Sequence, residues 1–168
     1  MRREQLLAEG WRPIAVHPAP QTGGPRLSVR GRVRVESPIT SPVGRRPCAV
    51  WRLLGDAPTG PIDDAGGTSF EVVTSTGSVW VELGHAAVDL RVPPAVPVRV
   101  GKTLAELLRE RGCLTVPDRL TLSEAVLAEG DEVVVEGVAD ATPDAAYRSR
   151  YGRIFRDMAG APLVIRGA

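Results

Sequence analysis

The sequence predicts a mainly β domain, either a small β-barrel or a barrel-like sandwich, with one principal helix. Glycine and proline number 18 and 15 among 168 residues. Their usual combined share is about 12%, and the excess favours short elements separated by turns. Val133, Val134 and Val135 are consecutive β-branched residues, so both faces of their strand should be covered. This fits a barrel or a sandwich better than an open sheet.

The chain divides into an N-terminal extension, residues 1–25, and one domain, residues 26–168. The extension ends in a breaker-rich stretch, PAPQTGGP, which separates it from the body of the protein. The remaining length suits a single hydrophobic core. No apolar run approaches the roughly 18 to 20 residues that span a bilayer, and the first residues lack the apolar core of a secretion signal. We therefore expect a cytoplasmic protein without membrane insertion.

Charge and cysteine content set further limits on function. The formal net charge is +1, so the field of the whole molecule gives no reason to expect nucleic acid or an anionic membrane, although charge can be segregated locally. Neither Cys48 nor Cys113 has a Cys or His at metal-ligand spacing. We predict no metal, no cofactor and two reduced thiols, with a disulfide as the alternative. Cys48 is expected to be buried in a strand.

The first strand of the domain is predicted at residues 27–35, where apolar and polar residues alternate. Period two places Arg30, Arg32 and Arg34 on one face. A functional interpretation is a basic stripe that contacts phosphate or an acidic partner. The alternative is the solvated face of a half-buried strand. We favour the second interpretation, because such alternation is usual in antiparallel sheets.

A proline-rich loop at residues 37–47 leads into a second strand at residues 48–54. Residues 55–67 are polar and rich in Gly and Pro, and we interpret them as a mobile excursion between strands. Asp56, Asp63 and Asp64 lie in this stretch, but their spacing does not match a calcium loop. We therefore predict a solvated loop.

The clearest hairpin comprises residues 70–83, two β-rich arms around Thr76-Gly77. Its Ser and Thr residues are typical of turns, and no Gly-x-Ser-x-Gly elbow or supporting His accompanies them. His85 follows the second arm and His17 lies in the N-terminal extension. Neither histidine has a partner motif, so we interpret both as structural or exposed.

The principal helix is predicted at residues 104–111, with Thr103 as its N-cap and Gly112 at its end. Further along, Gly130-Asp131 predicts a turn, because Gly accepts positive φ and Asp accepts hydrogen bonds from backbone amides beyond it. The valine strand at residues 133–138 follows, and we place it in the middle of the sheet. We interpret Asp131 as structural and not catalytic.

A second basic segment lies at residues 142–157, where arginines alternate with aromatic residues. Such a mixture can stack on bases and bind phosphates. The alternative is a surface connection before a final strand at residues 162–166, and we favour it. The candidate binding residues of this segment are Tyr147, Arg148, Arg150, Tyr151 and Arg153.

Three stretches follow one another in order: SPVGRRPCAVWRL, FEVVTSTGSVWVELGHAAVDL and LSEAVLAEGDEVVVEGVAD. In this order and spacing the chain resembles the GIDE domain, also called BAM, known from a membrane-anchored mitochondrial ubiquitin ligase and from many prokaryotic proteins. The matching positions are residues 86–90 with Ser41, Pro42, Arg46, Pro47, Cys48, Trp51, Phe70, Thr76, Gly77, Glu124, Leu127, Gly130, Asp131 and Gly137.

The resemblance implies a compact, barrel-like binding module of a larger system, with no catalytic residues to carry over. The transmembrane segments that commonly accompany the domain are missing from this sequence. A zinc-binding RING module needs more ligands than two Cys and two His provide. Ubiquitin-ligase activity is therefore not implied.

Two functional hypotheses remain, and neither is an enzyme. The first is a protein-interaction module of a bacterial multi-component system, with a protein partner. The second is an OB-like barrel that binds single-stranded nucleic acid through the strand arginines and the second basic segment. Convergence of the two Arg-rich segments on one face would favour the second hypothesis. A hydrolase is the least favoured interpretation, because no constellation of reactive side chains is visible.

Overall fold

The computed structural model describes residues 26–84, 86–141, 153–156 and 163–167. These residues form thirteen strands and one helix, α1 (Lys102–Glu110). The strands are β1 (Arg26–Arg34), β2 (Ile39–Thr40), β3 (Pro47–Cys48), β4 (Val50–Ala57), β5 (Gly60–Gly67), β6 (Phe70–Thr74), β7 (Gly77–Glu82), β8 (Ala87–Asp89), β9 (Val96–Arg99), β10 (Arg119–Leu127), β11 (Glu132–Ala141), β12 (Arg153–Arg156) and β13 (Val164–Gly167).

The larger sheet has seven strands in the order β1-β6-β7-β12-β11-β13-β8. An additional antiparallel pairing joins β1 to β11, so the pairings from β1 through β6, β7, β12 and β11 return to β1. Strands β13 and β8 continue beyond β11, and β5-β4-β10-β9 form a separate four-stranded sheet. The mainly β class is confirmed. The two sheets do not form one closed barrel, and their arrangement is compatible with a sandwich.

The four-stranded sheet lies between the larger sheet and α1. Because side chains alternate along a strand, Val50 of β4 faces the larger sheet, while Trp51 and Leu53 face the helix. Leu104 and Leu108 of α1 complete the packing on the helix side. The core between the sheets contains Val33, Phe70, Val72, Val81, Val133, Val135, Phe155 and Ile165.

The valine strand lies in the interior of the larger sheet, as predicted. Strand β11 pairs with three strands: with β1, with β13 and, near its C-terminal end, with β12. Val133 and Val135 are fully buried, whereas Val134 between them is half-buried. Both faces of the strand are therefore at least partly covered, which is why three consecutive valines are tolerated.

Residues 55–67 are not a mobile excursion, and that prediction is wrong. Strand β4 continues to Ala57, and β5 pairs with it from Gly60 to Gly67. Two bidentate ion pairs hold the hairpin. The Arg52 guanidinium donates to Asp63 over 3.2 and 3.3 Å, and that of Arg111 donates to Asp64 over 2.7 and 2.9 Å. These arginine contacts occupy the two carboxylates.

The other hairpin is confirmed, but its turn lies one residue earlier than predicted. Thr74 pairs with Gly77, so the connecting residues are Ser75 and Thr76. The Thr74 hydroxyl accepts from the Thr76 amide at 3.2 Å and donates to the Gly77 carbonyl at 2.8 Å. Gly77 has a φ of +149° and is the first residue of β7.

Helix α1 begins two residues earlier than predicted and ends at Glu110. Its N-cap is Gly101 and no side chain caps it, so the prediction of a Thr103 cap is wrong. The Thr103 hydroxyl instead accepts a hydrogen bond from Arg45 at 2.5 Å. Gly112 has φ of +88° and ends the helical turn, as expected for a residue after a helix C-terminus.

Cys48 is fully buried and free of a disulfide, and Cys113 is buried and free as well. Burial raises the pKa of the Cys48 thiol, and the nearby Glu124 carboxylate raises it further, while Arg46 opposes the shift. Both predictions about Cys48 are confirmed.

Among the described residues, α1 is the one helix, and its nine residues are too few to cross a bilayer.

Gly130-Asp131 forms a turn before the valine strand, as predicted, although the Asp131 carboxylate bonds backwards along the chain. Gly130 has φ of +82°. The Asp131 carboxylate accepts from the Ala128 amide at 2.8 Å, not from an amide beyond it. The turn also meets β1, where Val33 exchanges backbone hydrogen bonds of 2.9 and 2.8 Å with Asp131 and Gly130.

Replacing Asp131 by alanine should lower the free energy of unfolding by about 1 kcal/mol, because one charge-assisted bond to a backbone amide is lost. Replacing Gly130 by valine should lower it by about 2 kcal/mol or more, because a β-branched residue is strained at positive φ. Denaturant titration measures both values. Binding per folded molecule should survive Asp131→Ala. An Asp131→Ala protein of parental stability that fails to bind would make Asp131 a site residue.

Candidate functional site

The strand arginines lie on the exposed face of β1. Its side chains alternate between exposed and half-buried or buried positions, and Val33 contributes to the core. The exposed fractions of the Arg30, Arg32 and Arg34 side chains are 68%, 68% and 55%. The face therefore has the predicted alternation, and each of the three guanidinium groups reaches a carboxylate.

Arg30 and Arg32 share one carboxylate, that of Glu132 at the start of β11. Nη2 of Arg30 lies 3.0 Å from Oε2 of Glu132, and Nη2 of Arg32 lies 3.7 Å from Oε1. The hydrogen bond from Arg30 and then its charge hold the pKa of Glu132 below its usual range, with a smaller contribution from Arg32. Glu132 is therefore ionised at neutral pH and binds both guanidinium groups.

Arg34 faces a different carboxylate. Its Nη1 lies 3.5 Å from Oε2 of Glu71, whose side chain is only 4% exposed. This Glu71 oxygen makes no hydrogen bond, so the ion pair with Arg34 is its polar contact. Arg34 is thus engaged with a buried group, whereas Arg30 and Arg32 lie beside an exposed one.

A cleft opens between β1 and the β6–β7 turn. We call it the β1 cleft. Its volume is about 430 Å³. It is lined by Arg30, Gly31, Arg32, Val73, Thr74, Ser75 and Glu132.

The shape of the β1 cleft depends on Gly31. A Cβ atom at this position would overlap the Val73 carbonyl oxygen and lie 2.7 Å from Cγ1 of Val72. The absence of a side chain lets β1 approach β6 closely as its second pairing begins, at Arg32 opposite Val73. Arg30 and Arg32, on either side of Gly31 in the chain, also line the cleft.

The two arginines retain unused hydrogen-bonding capacity. A guanidinium group carries five N–H donors. Arg30 donates one hydrogen bond to Glu132, and Arg32 donates one to the Gly130 carbonyl, each at 3.0 Å. The cleft that the two arginines line also contains the hydroxyl-bearing Thr74 and Ser75. The arrangement can bind an additional carboxylate or phosphate group.

Of the second basic segment, residues 142–157, the structure describes residues 153–156. Tyr147, Arg148, Arg150 and Tyr151 lie outside the described residues. Arg153 opens β12, where its backbone pairs with Ala141. The preferred interpretation of this segment as a surface connection is wrong for residues 153–156, which form a strand between β7 and β11.

Phe155, in the middle of β12, is fully buried in the core between the sheets. This aromatic ring is therefore not available to stack on a nucleic-acid base.

Sequence reasoning missed Glu132, Thr74 and Ser75 as members of the site. Glu132 is 102 positions from Arg30 along the chain. It is brought close because β1 and β11 pair with Arg32 opposite Glu132. The only available signal was a carboxylate directly after the Gly130-Asp131 turn, and that signal does not identify its partner.

A second polar cluster joins two of the motifs behind the GIDE resemblance. The Glu124 carboxylate on β10 accepts from the Ser41 hydroxyl at 3.0 Å and from the Val43 and Gly44 amides, each at 2.8 Å. The Ser41 hydroxyl in turn accepts from the Arg46 amide at 3.1 Å. Glu124 therefore holds the loop between β2 and β3 in place.

Within the described residues, no group of three or more His, Cys, Asp or Glu could hold a metal ion.

The Glu132 carboxyl should titrate below the usual range for a glutamate, and Arg30→Gln should bring its pKa back towards that range. Because the folded pKa is depressed, the pair stabilises the fold above the pKa of the unfolded chain, and this contribution is lost as the pH falls through the folded pKa. Carboxyl chemical shifts measured across acidic pH follow the titration. Arg34→Gln is the control, since Arg34 contacts Glu71. An unchanged pKa in the Arg30→Gln protein would contradict the assignment.

A search of family models, curated proteins and solved structures found no match to this chain.

Proposed function

We propose that this domain is a non-enzymatic protein-interaction module, and that the β1 cleft receives an acidic side chain of a protein partner. The observation that carries the proposal is the convergence of Arg30 and Arg32 on the exposed carboxylate of Glu132. An incoming carboxylate can take donors that Glu132 leaves unused.

The local charge balance favours a protein partner over nucleic acid. Three arginines of β1 face two carboxylates, Glu132 and Glu71. Arg26 adds a fourth arginine to the same face, so most but not all of the positive charge is compensated, whereas a nucleic-acid surface gains affinity by neutralising several phosphates with uncompensated Lys and Arg. A single acidic side chain requires only the two guanidinium groups at the cleft.

The GIDE resemblance supports the same class of function. Its motif residues Ser41 and Glu124 make one polar cluster, as expected if the motifs maintain the fold of a binding module. We propose that the chain belongs to that family and that it is cytoplasmic. On this basis the variable part of the function is the partner, and the β1 cleft is where the partner binds.

The proposal is tested by selecting a displayed library of random peptides on the full chain. Acidic sequences should be enriched. Synthetic copies should bind about tenfold more weakly to the double variant Arg30→Gln/Arg32→Gln, because two charge-assisted contacts are lost. Fluorescence anisotropy at physiological salt gives the affinities.

Arg109→Gln is a matched control, since Arg109 is an exposed arginine near the end of α1, which packs on the side of the four-stranded sheet opposite to the larger sheet. It should bind like the parent protein. Equal binding by the double variant would refute the site. Tighter binding of single-stranded DNA than of any selected peptide, with the same loss in the double variant, would favour the nucleic-acid alternative instead.

A further inference from the structure

Among the described residues, strand β1 has one edge next to the cleft that is paired over only part of its length. Along its first edge it pairs with β11 from Arg26 to Arg32. Along its second edge it pairs with β6, but only from Arg32 to Arg34. The hairpin of β6 and β7 turns back at residues 75–76. No described strand therefore pairs with the second edge at residues 26–31.

The backbone groups at this edge can be identified from the register. Val33 exchanges hydrogen bonds with the β10–β11 turn, so its N–H and C=O point towards β11. Successive residues of an antiparallel strand point these groups to opposite edges. The N–H and C=O groups of Arg26, Ser28 and Arg30 therefore point to the open edge. Leu27 and Val29 point theirs to β11.

The side chains beside this edge present two different faces. Arg26, Ser28 and Arg30 are exposed on one face. Leu27 and Val29 are half-buried on the other face, where they pack against the core between the sheets. A strand added here would place alternate side chains beside the arginines and beside the two apolar residues.

The geometry points to β-strand addition at residues 26–30 by an extended segment of a protein partner in which acidic and apolar side chains alternate. This inference rests on the proposed function, and it specifies how the partner binds and what sequence pattern it carries. Backbone hydrogen bonds to Ser28 and Arg30 supply affinity, while the two faces supply specificity. An acidic side chain of the added strand then enters the β1 cleft beside Arg30.

The other outer strands among the described residues are poorer templates. Strands β5 and β9 border the four-stranded sheet, and each contains a proline, Pro61 and Pro97. Proline lacks the N–H donor that a ladder needs. Strand β8 ends the larger sheet but has three residues. The edge at residues 26–30 has no proline and carries the positive charge that matches an acidic segment.

The test uses a synthetic peptide of about eight residues that alternates Glu and Val, a length that covers the open edge. Amide hydrogen exchange is followed by NMR in the free and peptide-bound full chain. The amides of Ser28 and Arg30 should become protected on binding. The amides of Leu27 and Val29 serve as internal controls, because their pairing with β11 protects them before the peptide is added.

Two N-methylated peptides separate strand addition from simple charge attraction. One is methylated at the Glu amides and the other at the Val amides, so their charge and side chains are the same. Only one alternate set of amides points at β1. One methylated peptide should therefore bind at least tenfold more weakly than the parent peptide, and the other should bind nearly as well.

The outcomes separate this inference from the proposed function. Protection of Ser28 and Arg30 together with weaker binding of one methylated peptide supports strand addition. Binding that Arg30→Gln/Arg32→Gln weakens, without protection of Ser28 and Arg30, overturns strand addition and leaves the proposed function standing. If acidic peptides of any pattern fail to bind, both are overturned. Protection by single-stranded DNA and not by the peptide would also overturn both.

Discussion

Replacing Glu124 by alanine is expected to lower the free energy of unfolding by about 3 kcal/mol. The Glu124 carboxylate accepts three hydrogen bonds, from the Ser41 hydroxyl and from the Val43 and Gly44 amides. Ser41 is fully buried, so its hydroxyl loses a partner in a place that bulk water does not reach. A donor left unsatisfied in this way is more costly than an exposed one.

Denaturant titration of the parent and of Glu124→Ala measures this effect. Glu124→Gln is the matched variant, because it keeps the shape and one acceptor oxygen but removes the charge, so its loss should be smaller. A double-mutant cycle with Ser41→Ala isolates the energy of that one contact. If Glu124→Ala unfolds at the parental denaturant concentration with the parental slope, the carboxylate does not anchor the loop.

Replacing Gly31 by alanine is expected to lower the free energy of unfolding by about 2 to 3 kcal/mol. The added Cβ overlaps the carbonyl oxygen of Val73 and approaches Cγ1 of Val72 to 2.7 Å. The first of these atoms belongs to the backbone of β6, which is held by pairing to β1 and β7. The strands must therefore separate locally, and the β1 cleft changes shape with them.

Gly167→Ala provides the control for this substitution. Gly167 also lies in a strand, but its nearest neighbour to an added Cβ is Cδ2 of Leu90 at 3.7 Å, which is an ordinary van der Waals distance. Its effect should stay within about 0.5 kcal/mol. Equal effects of the two substitutions on the unfolding midpoint would mean that the approach of β1 to β6 is not tight in solution.

Local patterns predicted the elements whose burial follows from their own side chains. The alternation in β1 and the valine run of β11 indicated strands, because period two and β-branching act over a few residues. The helix was recognised from the spacing of Leu104, Leu107 and Leu108. Its start was misplaced because Thr103 bonds to Arg45, 58 positions away, which local capping rules do not include.

Strand β5 shows why other elements escaped prediction. Its sequence, GPIDDAGG, is poor in residues that favour strands. The strand forms because β4 offers a complete pairing partner and because Arg52 and Arg111 neutralise Asp63 and Asp64. Arg111 directly follows α1, and no local pattern connects it to β5. Tertiary contacts thus overcame a weak local preference.

The sequence by itself determined that Arg30, Arg32 and Arg34 share a face of one strand, since that property needs only a period of two residues. It also determined that Gly130-Asp131 makes a turn before a valine strand. Only the tertiary structure decided that Glu132 lies between two of these arginines, and that Glu71 is buried beside the third. Pairing register brings these distant residues together, and a shift of one residue would turn every side chain of a strand to the opposite face. The open edge at residues 26–31 depends in the same way on where the β6–β7 hairpin ends.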